Sequence, residues 1–401
     1  MLPKAILIDV IKPGTSEEEA ERRLKELENL VTTYGGIVVV KAIQKKGIPD
    51  YETYIGKGKV TEIMNVGEGK GAEILIINNL LKPRQLYELN ERFRKAKSKM
   101  KAWDRVDMIL KIFSKHAKST EAKLQIELAS IKHMGPRIFG MGIELSRQAG
   151  AMGVRAGAGE ANVEMMKRHL QKQELSILKK LKHYEVIREG HRKRRRRQNF
   201  KTVAIVGYTN AGKSSLLNAL TRKGAYVADQ LFATLDTRVG KLWIPESNRE
   251  VLLSDTIGFI QDLPPDLIKA FKSTLAETVD AEMILHVIDI NDPQLNKNVK
   301  VVEEILDQLG LHDKPKIYVF NKIDLVNRKD EPKREELPPK SSLMKAGKDT
   351  AKILGWHGKK SGHHVNFSPL KLKYKEFTPI FVSAVEKTNL PDLIHQIDEK
   401  L

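Results

Sequence analysis

The sequence predicts an α/β protein in three successive parts. An N-terminal α/β domain is expected over residues 1–100 and a long antiparallel helical hairpin over 101–190. After a basic linker at 191–199, a phosphate-loop (P-loop) domain with a mostly parallel sheet runs over 200–401. Three patterns carry this. Short β-rich apolar runs alternate with helix-period stretches near the N-terminus. Two long stretches in the middle repeat apolar residues in steps of three, four and seven. A hydrophobic strand then runs straight into a glycine-rich loop with GxxxxGK[ST] spacing and a helix.

In the first part, Ala5–Val10 and Gly36–Ala42 read as strands. Between them Ser16 and Glu19 have capping-box spacing, and Ala20, Leu24, Leu27 and Val31 then recur at helical spacing. A second helix is expected near Lys59, a strand over Glu73–Ile77, and a helix opened by Pro83. Parallel pairing should dominate.

In the second part, Val106, Ile109, Phe113, Ala117, Leu124, Leu128 and Ile131 mark one long amphipathic helix within 103–133. Val163, Met166, Leu170, Ile177, Leu181 and Tyr184 mark another within 160–189. The joining segment carries Gly135, Gly140, Gly142, Gly150, Gly153, Gly157 and Gly159, with Arg137, Arg147 and Arg155 among them. Glycines admit close approach of a ligand, and the arginines suit phosphate. Arg192, Lys193, Arg194, Arg195, Arg196 and Arg197 then form an unbroken basic run, a second candidate for RNA contact.

Composition narrows the function. The 401 residues include 70 Lys and Arg against 51 Asp and Glu, a net charge of +19, which asks for a polyanionic partner. No apolar run approaches the roughly 20 residues of a membrane span, and the N-terminal apolar stretch is too short for a signal peptide. The absence of cysteine excludes disulfides, thiol catalysis and cysteine-ligated zinc. A cytoplasmic monomer is expected.

The chemistry concentrates in the third part. Thr202–Val206 reads as a strand and leads into Gly207, Tyr208, Thr209, Asn210, Ala211, Gly212, Lys213 and Ser214, with Ser215–Leu220 as the helix that follows. Such a loop aims backbone N–H groups at phosphates. Lys213 should reach the β- and γ-phosphates, and the Ser214 hydroxyl should ligate Mg²⁺. Asn321, Lys322 and Asp324, at the end of the strand Lys316–Phe320, select the base. A carboxylate at Asp324 accepts from guanine N1 and N2, a donor pair that adenine lacks. Asn321 should tie this loop to the phosphate loop, and the Lys322 stem should cover the base. Ser383 and Ala384 follow a strand at Pro379–Val382, and the Ala384 N–H is expected to face guanine O6. Asp255, after the strand Val251–Ser254, should hold Mg²⁺ through water, and the Gly258 N–H should sense the γ-phosphate. Phe232 and Thr234 lie in the segment expected to close over Mg²⁺, with Thr237 as an alternative to Thr234. Lys213, Thr234 and Gly258 are the expected catalytic groups of a GTPase.

Over nearly the whole chain these motifs resemble the HflX GTPases, a ribosome-associated group. The resemblance is carried by Tyr54-Ile-Gly-Lys-Gly-Lys59, Glu121–Leu128, the glycine-rich loop, Leu231–Asp236 and Asp255–Ile260. It implies binding to the large ribosomal subunit and its RNA, and in some members the splitting of ribosomes under stress. It also implies a second nucleotide, ATP, in the N-terminal region near Gly56–Lys59. Against that, Gly56–Lys59 is not a full phosphate-loop motif and reads as an ordinary helix entry. The loop Gly150–Glu160 departs from the family's usual glycine pattern. The sequence ends soon after a helix expected at Leu390–Leu401, so the further C-terminal domain of some relatives is not expected.

Further features complete the expectations. Asp324 and Ser383 lie 59 positions apart, a long connection, and Arg328–Lys375 within it carries 13 basic and 5 acidic residues. That insertion is read as an RNA-binding element, with a surface excursion as the alternative. His357, His363 and His364 have no supporting acidic ligand set and are read as surface or RNA-contacting groups. Phe259 stands where many related switches place a water-orienting Gln, so hydrolysis should be slow in isolation and stimulated by the ribosome. Asn210 is a candidate ligand for K⁺. The alternative function is an RNA-binding or RNA-remodelling module with incidental hydrolysis.

Overall fold

The computed structural model describes residues 2–133, 135, 156–198, 200–221, 238–260, 276–326 and 368–401. The N-terminal part is a four-stranded, wholly parallel sheet covered on both faces. Its strands are β1 (Lys4–Ile11), β2 (Ile37–Lys45), β3 (Ile74–Ile77) and β4 (Lys101–Asp104), in the order β2-β1-β3-β4. The helices are α1 (Glu17–Tyr34), α2 (Lys57–Lys70), α3 (Pro83–Lys95) and α4 (Arg105–His116). Side chains of β1 alternate between the two cores. Ala5 and Leu7 join Leu24, Leu27, Ile109 and Phe113 of α1 and α4, whereas Ile6, Ile8 and Val10 join Val60, Leu89 and Phe93 of α2 and α3. Ser16 Oγ accepts the Glu19 N–H at 3.2 Å and so starts α1. Gly56 is the N-cap of α2, and its own N–H is taken by Gln44 Oε1 at 3.0 Å.

The long helix expected within 103–133 is two helices. α4 ends at His116 with Ala117 in extended conformation, and α5 occupies residues 120–133. The strand β4 precedes α4, so Trp103 and Asp104 are sheet residues rather than the start of a helix. α4 is part of the N-terminal core, packed on α1 through Val106, Ile109 and Phe113. Only α5 pairs with α6 (Ala156–Arg197), a helix of 42 residues. Leu124 and Leu128 meet Ile177, Leu181 and Tyr184. Glu121 pairs with Arg188 and Lys132 with Glu174, which fixes an antiparallel arrangement. His133 of α5 reaches Asp104 and Asp107 at 3.4 Å each and fastens the hairpin to the start of α4.

The third part is a six-stranded sheet. Its strands are β5 (Lys201–Gly207), β6 (Arg238–Ile244), β7 (Arg249–Asp255), β8 (Met283–Asp289), β9 (Lys316–Asn321) and β10 (Ile380–Phe381), in the order β10-β9-β8-β5-β7-β6. All pairings are parallel except β6 with β7, a hairpin that the sequence reading did not contain. The helices are α7 (Lys213–Leu220), α8 (Ala276–Asp280), α9 (Leu295–Gln308), α10 (Ile323–Val326), α11 (Ser368–Lys373) and α12 (Leu390–Lys400). At the described end of the 328–375 insertion Lys371, Leu372, Lys373 and Lys375 are exposed, and Tyr374 alone turns inward. Tyr374 is buried against Tyr318 and Phe320.

The basic run is not a linker. Residues 191–197 are the last two turns of α6, and Arg192 donates to Asp280 Oδ1 at 2.6 Å.

Candidate functional site: a phosphate loop shared by two α/β layers

The phosphate loop lies at the C-terminal end of the central strand β5, where an open parallel sheet offers a crevice. Two of its glycines are demanded by close approach. A Cβ on Gly207 would sit 2.2 Å from the carbonyl oxygen of Val287, and one on Gly212 would sit 2.2 Å from Asn321 Nδ2. Gly212 also holds φ +92° as the N-cap of α7, a conformation that costs other residues energy. The first turn of α7, Lys213 to Ser215, presents its N-terminus to the loop.

Lys213 is buried, and its Nζ donates to the carbonyls of Tyr208 at 2.9 Å and Gly207 at 3.2 Å. Burial lowers its pKa to about 8; the neighbouring Asp255 works against that shift and Lys322 works with it. Ser214 Oγ donates to Asp255 Oδ2 at 2.6 Å, so the hydroxyl at the start of α7 and the carboxylate at the end of β7 meet across the strands. The Thr256 hydroxyl fixes the same turn by donating to Ile205 O at 2.8 Å.

The segment Asn321 to Asp324 is brought to this loop by β9. Asn321 Nδ2 donates to Ala211 O at 3.0 Å. Lys322, with φ +67°, donates through Nζ to Asn210 O at 2.7 Å and pairs with Asp289 at 2.8 Å. Asn210 itself adopts φ +62°. Ser383 Oγ donates to Asp324 Oδ1 at 2.7 Å. The Ala384 N–H does not stand free for a guanine oxygen, as the sequence had suggested. It donates to Asn321 Oδ1 at 3.0 Å, so Asn321 bridges the phosphate loop and the 383–384 turn.

Residues Gly207 to Ser215, Asp255, Gly258, Asn321, Lys322, Asp324, Ser383 and Ala384 therefore converge. Phe232, Thr234 and Thr237 lie outside the described residues, as do Arg137, Arg147, Arg155, the histidines 357, 363 and 364, and most of the basic insertion.

One contributor had no local signal. Glu26 of α1 accepts from the Tyr208 hydroxyl at 2.9 Å and from Arg105 Nη2 at 2.8 Å. Arg105 continues to Asn78 Oδ1 at 2.9 Å, and Asn78 to the buried Asp9 at 3.0 Å. A polar chain thus joins the N-terminal sheet to the second residue of the phosphate loop. Beside it a cleft of about 320 Å³ opens, lined in part by Arg22, Lys25, Asn29, Asn210 and Asp292.

A phosphate loop on the central strand, an Asp-x-x-Gly turn on one neighbouring strand and an Asn-Lys-x-Asp segment two strands away define a guanine-nucleotide hydrolase of the phosphate-loop class. The comparisons agree. Residues 202–322 match the family described as "50S ribosome-binding GTPase". Residues 21–114 match "GTP-binding GTPase N-terminal" and 116–195 match "GTP-binding GTPase Middle Region". The chain is 45% identical over 323 residues to the GTPase HflX of Caldanaerobacter subterraneus subsp. tengcongensis, covering 80% of this chain and 73% of that protein. It is 38% identical over 325 residues to the GTPase HflX of Escherichia coli, covering 80% and 74%. Among solved structures it is similar to the crystal structure of the SsGBP–GDP complex, with 27% identity and a TM-score of 0.50 over 99% of this chain and 98% of the other. The chain belongs to the HflX GTPase family, and it binds and hydrolyses GTP. Among the described residues no helix is long and apolar enough to cross a membrane.

Proposed function

We propose that this GTPase is a switch that acts on the large ribosomal subunit, binding its RNA and separating or rescuing ribosomes under stress. The observation that carries the reading is the match of the nucleotide domain to a family described by 50S ribosome binding. The +19 charge and the cationic last turns of α6, with Lys193, Arg194 and Arg197 exposed, support it, because RNA phosphates would offset charge that otherwise repels itself. Arg195, Arg196 and the loop arginines Arg137, Arg147 and Arg155 belong to the same proposed contact.

At the nucleotide, Lys213 neutralises the β- and γ-phosphates while the loop N–H groups from Thr209 to Ser214 surround them. Asp324 accepts from the guanine edge, held by Ser383, and the Lys322 stem lies along the base. Ser214 and Asp255 are oxygen donors already within 2.6 Å of each other, a set that suits a hard cation such as Mg²⁺, with Asp255 acting through water. A Mg²⁺ ion held by Ser214 and Asp255 would supply Lewis-acid stabilisation of charge on the terminal phosphates. Thr234 and Phe232 belong to the same proposed nucleotide contact. Asn210 would be the ligand for a K⁺ ion.

The test is sedimentation with purified ribosomal subunits in three states: a GTP analogue, GDP and no nucleotide. Retention on large subunits that depends on the GTP analogue is expected. Equal retention on free structured RNA in all three states would replace the switch with an RNA-remodelling module.

A further inference from the structure

The segment Asn321 to Asp324 is anchored by two residues that no motif marks, Asp289 at the end of β8 and Asn291 just beyond it. β8 pairs with β9 so that Asp289 lies beside Asn321, and the Ile290 N–H donates to Asn321 O at 3.1 Å. The two carboxylate oxygens of Asp289 have separate tasks. Oδ1 accepts the Asn291 N–H at 2.9 Å, and Oδ2 pairs with Lys322 Nζ at 2.8 Å. Asn291 in turn donates through Nδ2 to Lys322 O at 2.8 Å. Lys322 is thus held at both ends in one closed ring, its ammonium by Asp289 and its carbonyl by Asn291.

This ring acts on a backbone that needs holding. Lys322 has φ +67°, a conformation that a residue with a side chain adopts at a cost and keeps where its surroundings impose it. The Lys322 carbonyl also accepts the Leu325 N–H at 3.1 Å and so closes the turn that carries Asp324. Asn291 therefore fixes the peptide from which that turn starts. Lys322 Nζ donates as well to Asn210 O at 2.7 Å, which joins the phosphate loop to β8 through one ammonium. The side chains of Lys322 and Asp289 are 21% and 23% exposed, so the pair is largely withdrawn from the water that weakens open surface pairs.

We propose that Asp289, together with Asn291, is a positioning residue for guanine recognition. It presets the Lys322 stem as a wall for one face of the base, and with it the direction of the Asp324 carboxylate. Both residues act through Lys322 rather than on the nucleotide. Without the Asp289 charge the ammonium keeps only Asn210 O among these acceptors. The stem and its left-handed backbone then sample other conformations, which the arriving base must order at a cost in affinity. That cost is the same for every guanine nucleotide, because it is met at the base and not at the terminal phosphate. The proposal rests on the proposed reading of the base by Asp324.

The experiment measures affinities for GDP and for guanylyl imidodiphosphate, both with Mg²⁺, and GTP turnover in the full chain. Asp289→Asn keeps the size of the side chain and removes its charge. It should weaken both ligands by the same factor, about tenfold. KM should rise with kcat changed by less than about twofold. In a Lys322→Met background the same substitution should add nothing, because the group it acts through is gone. Unchanged affinity in Asp289→Asn would overturn the proposal, as would a loss confined to kcat. A loss of equal size in the Lys322→Met background would also overturn it, since that marks a structural role alone. Should Asp289→Asn fail to melt cooperatively, Asn291→Ala carries the test: equal weakening of both ligands supports the role, and unchanged affinity overturns it. Asp324→Asn separates the proposal from the reading beneath it. GDP affinity left intact there would sink the base reading itself. GDP affinity lost there but kept in Asp289→Asn would sink the positioning role alone.

Discussion

At the residue scale, the proposed recognition of the base reduces to one carboxylate and the group that aims it. Asp324 is held by the Ser383 hydroxyl, and Asn321 ties the segment to the phosphate loop through Ala211. Replacing Asp324 by Ala removes two acceptors for guanine and should weaken GTP binding by about 10- to 100-fold, the worth of hydrogen bonds to a charged group. Asp324→Asn should move the preference towards xanthine nucleotides, because an amide can donate to the carbonyl that xanthine carries in place of the amine. Competition binding with GTP, XTP and ATP reads this directly; an Asp324→Asn protein that still favours GTP over XTP would refute the assignment. Gly212 has a different kind of importance. Gly212→Ala must place a methyl 2.2 Å from Asn321 Nδ2 at a φ of +92°, so it should cost about 1–3 kcal/mol of stability and break the tie that Asn321 makes. Thermal melts with and without GDP check this, and the nucleotide-induced rise in Tm should shrink. These positions were legible in the sequence because a phosphate loop needs particular residue types at fixed local spacing.

At the element scale, β8, β9 and α9 are joined by a buried polar cluster for which the sequence offered no signal. Glu303 of α9 accepts from Tyr318 at 2.8 Å, contacts His286 Nδ1 at 3.0 Å and pairs with the buried Lys316. Burial opposes ionisation of Glu303, but its hydrogen bonds to His286, Lys316 and Tyr318 outweigh it and hold the carboxyl at about 2. His286 is lowered by its burial and is neutral at pH 7, which leaves Lys316 as the charged partner of Glu303. Both groups have folded pKa values below their unfolded ones, so both add stability that is complete above the unfolded value and lost as pH falls. His286 contributes to the decline that begins below 6.5, and Glu303 to the steeper limb between 4.5 and about 2. Glu303→Gln should cost roughly 2 kcal/mol at pH 7, discounted for solvent screening, and flatten the limb below pH 4.5. Urea unfolding at a series of pH values measures both; a variant with an unaltered acid limb would show that other carboxylates dominate it. Strands and helices were readable here because their patterns are local. The break at Ala117 was not, since the apolar spacing runs through it without a phase change and only packing of α4 on α1 separates it from α5. Nor was the bond between Glu26 and Tyr208, which are 182 positions apart.

At the scale of the whole molecule, two α/β layers share one nucleotide loop while a long basic helix departs from it. The join is direct: α6 ends next to the nucleotide domain, where Arg192 grips Asp280 just before β8. Force or ordering applied to the hairpin can therefore reach the strand that flanks the phosphate loop. The Phe259 position matters for the same reason. Its side chain is buried among Ala204, Val206 and Ile284, and it carries no group to orient a water. A water-positioning group must come from elsewhere, and in the proposed function the ribosome supplies the ordering. GTP turnover by the isolated chain should accordingly be slow and should rise by at least about tenfold with large subunits, a barrier change of about 1.4 kcal/mol. Replacing Arg194 and Arg197 with Gln should reduce that stimulation and make it less steeply salt-dependent, because each neutralised phosphate contact contributes to the salt slope. Their loss should leave the basal rate unchanged, since neither contacts the nucleotide loop. Turnover measured across a potassium series and a sodium series, with and without subunits, separates the two influences. Stimulation that follows salt in both variants alike would return the end of α6 to a solvated surface. Fast turnover in the absence of subunits would mean that this chain positions the water itself.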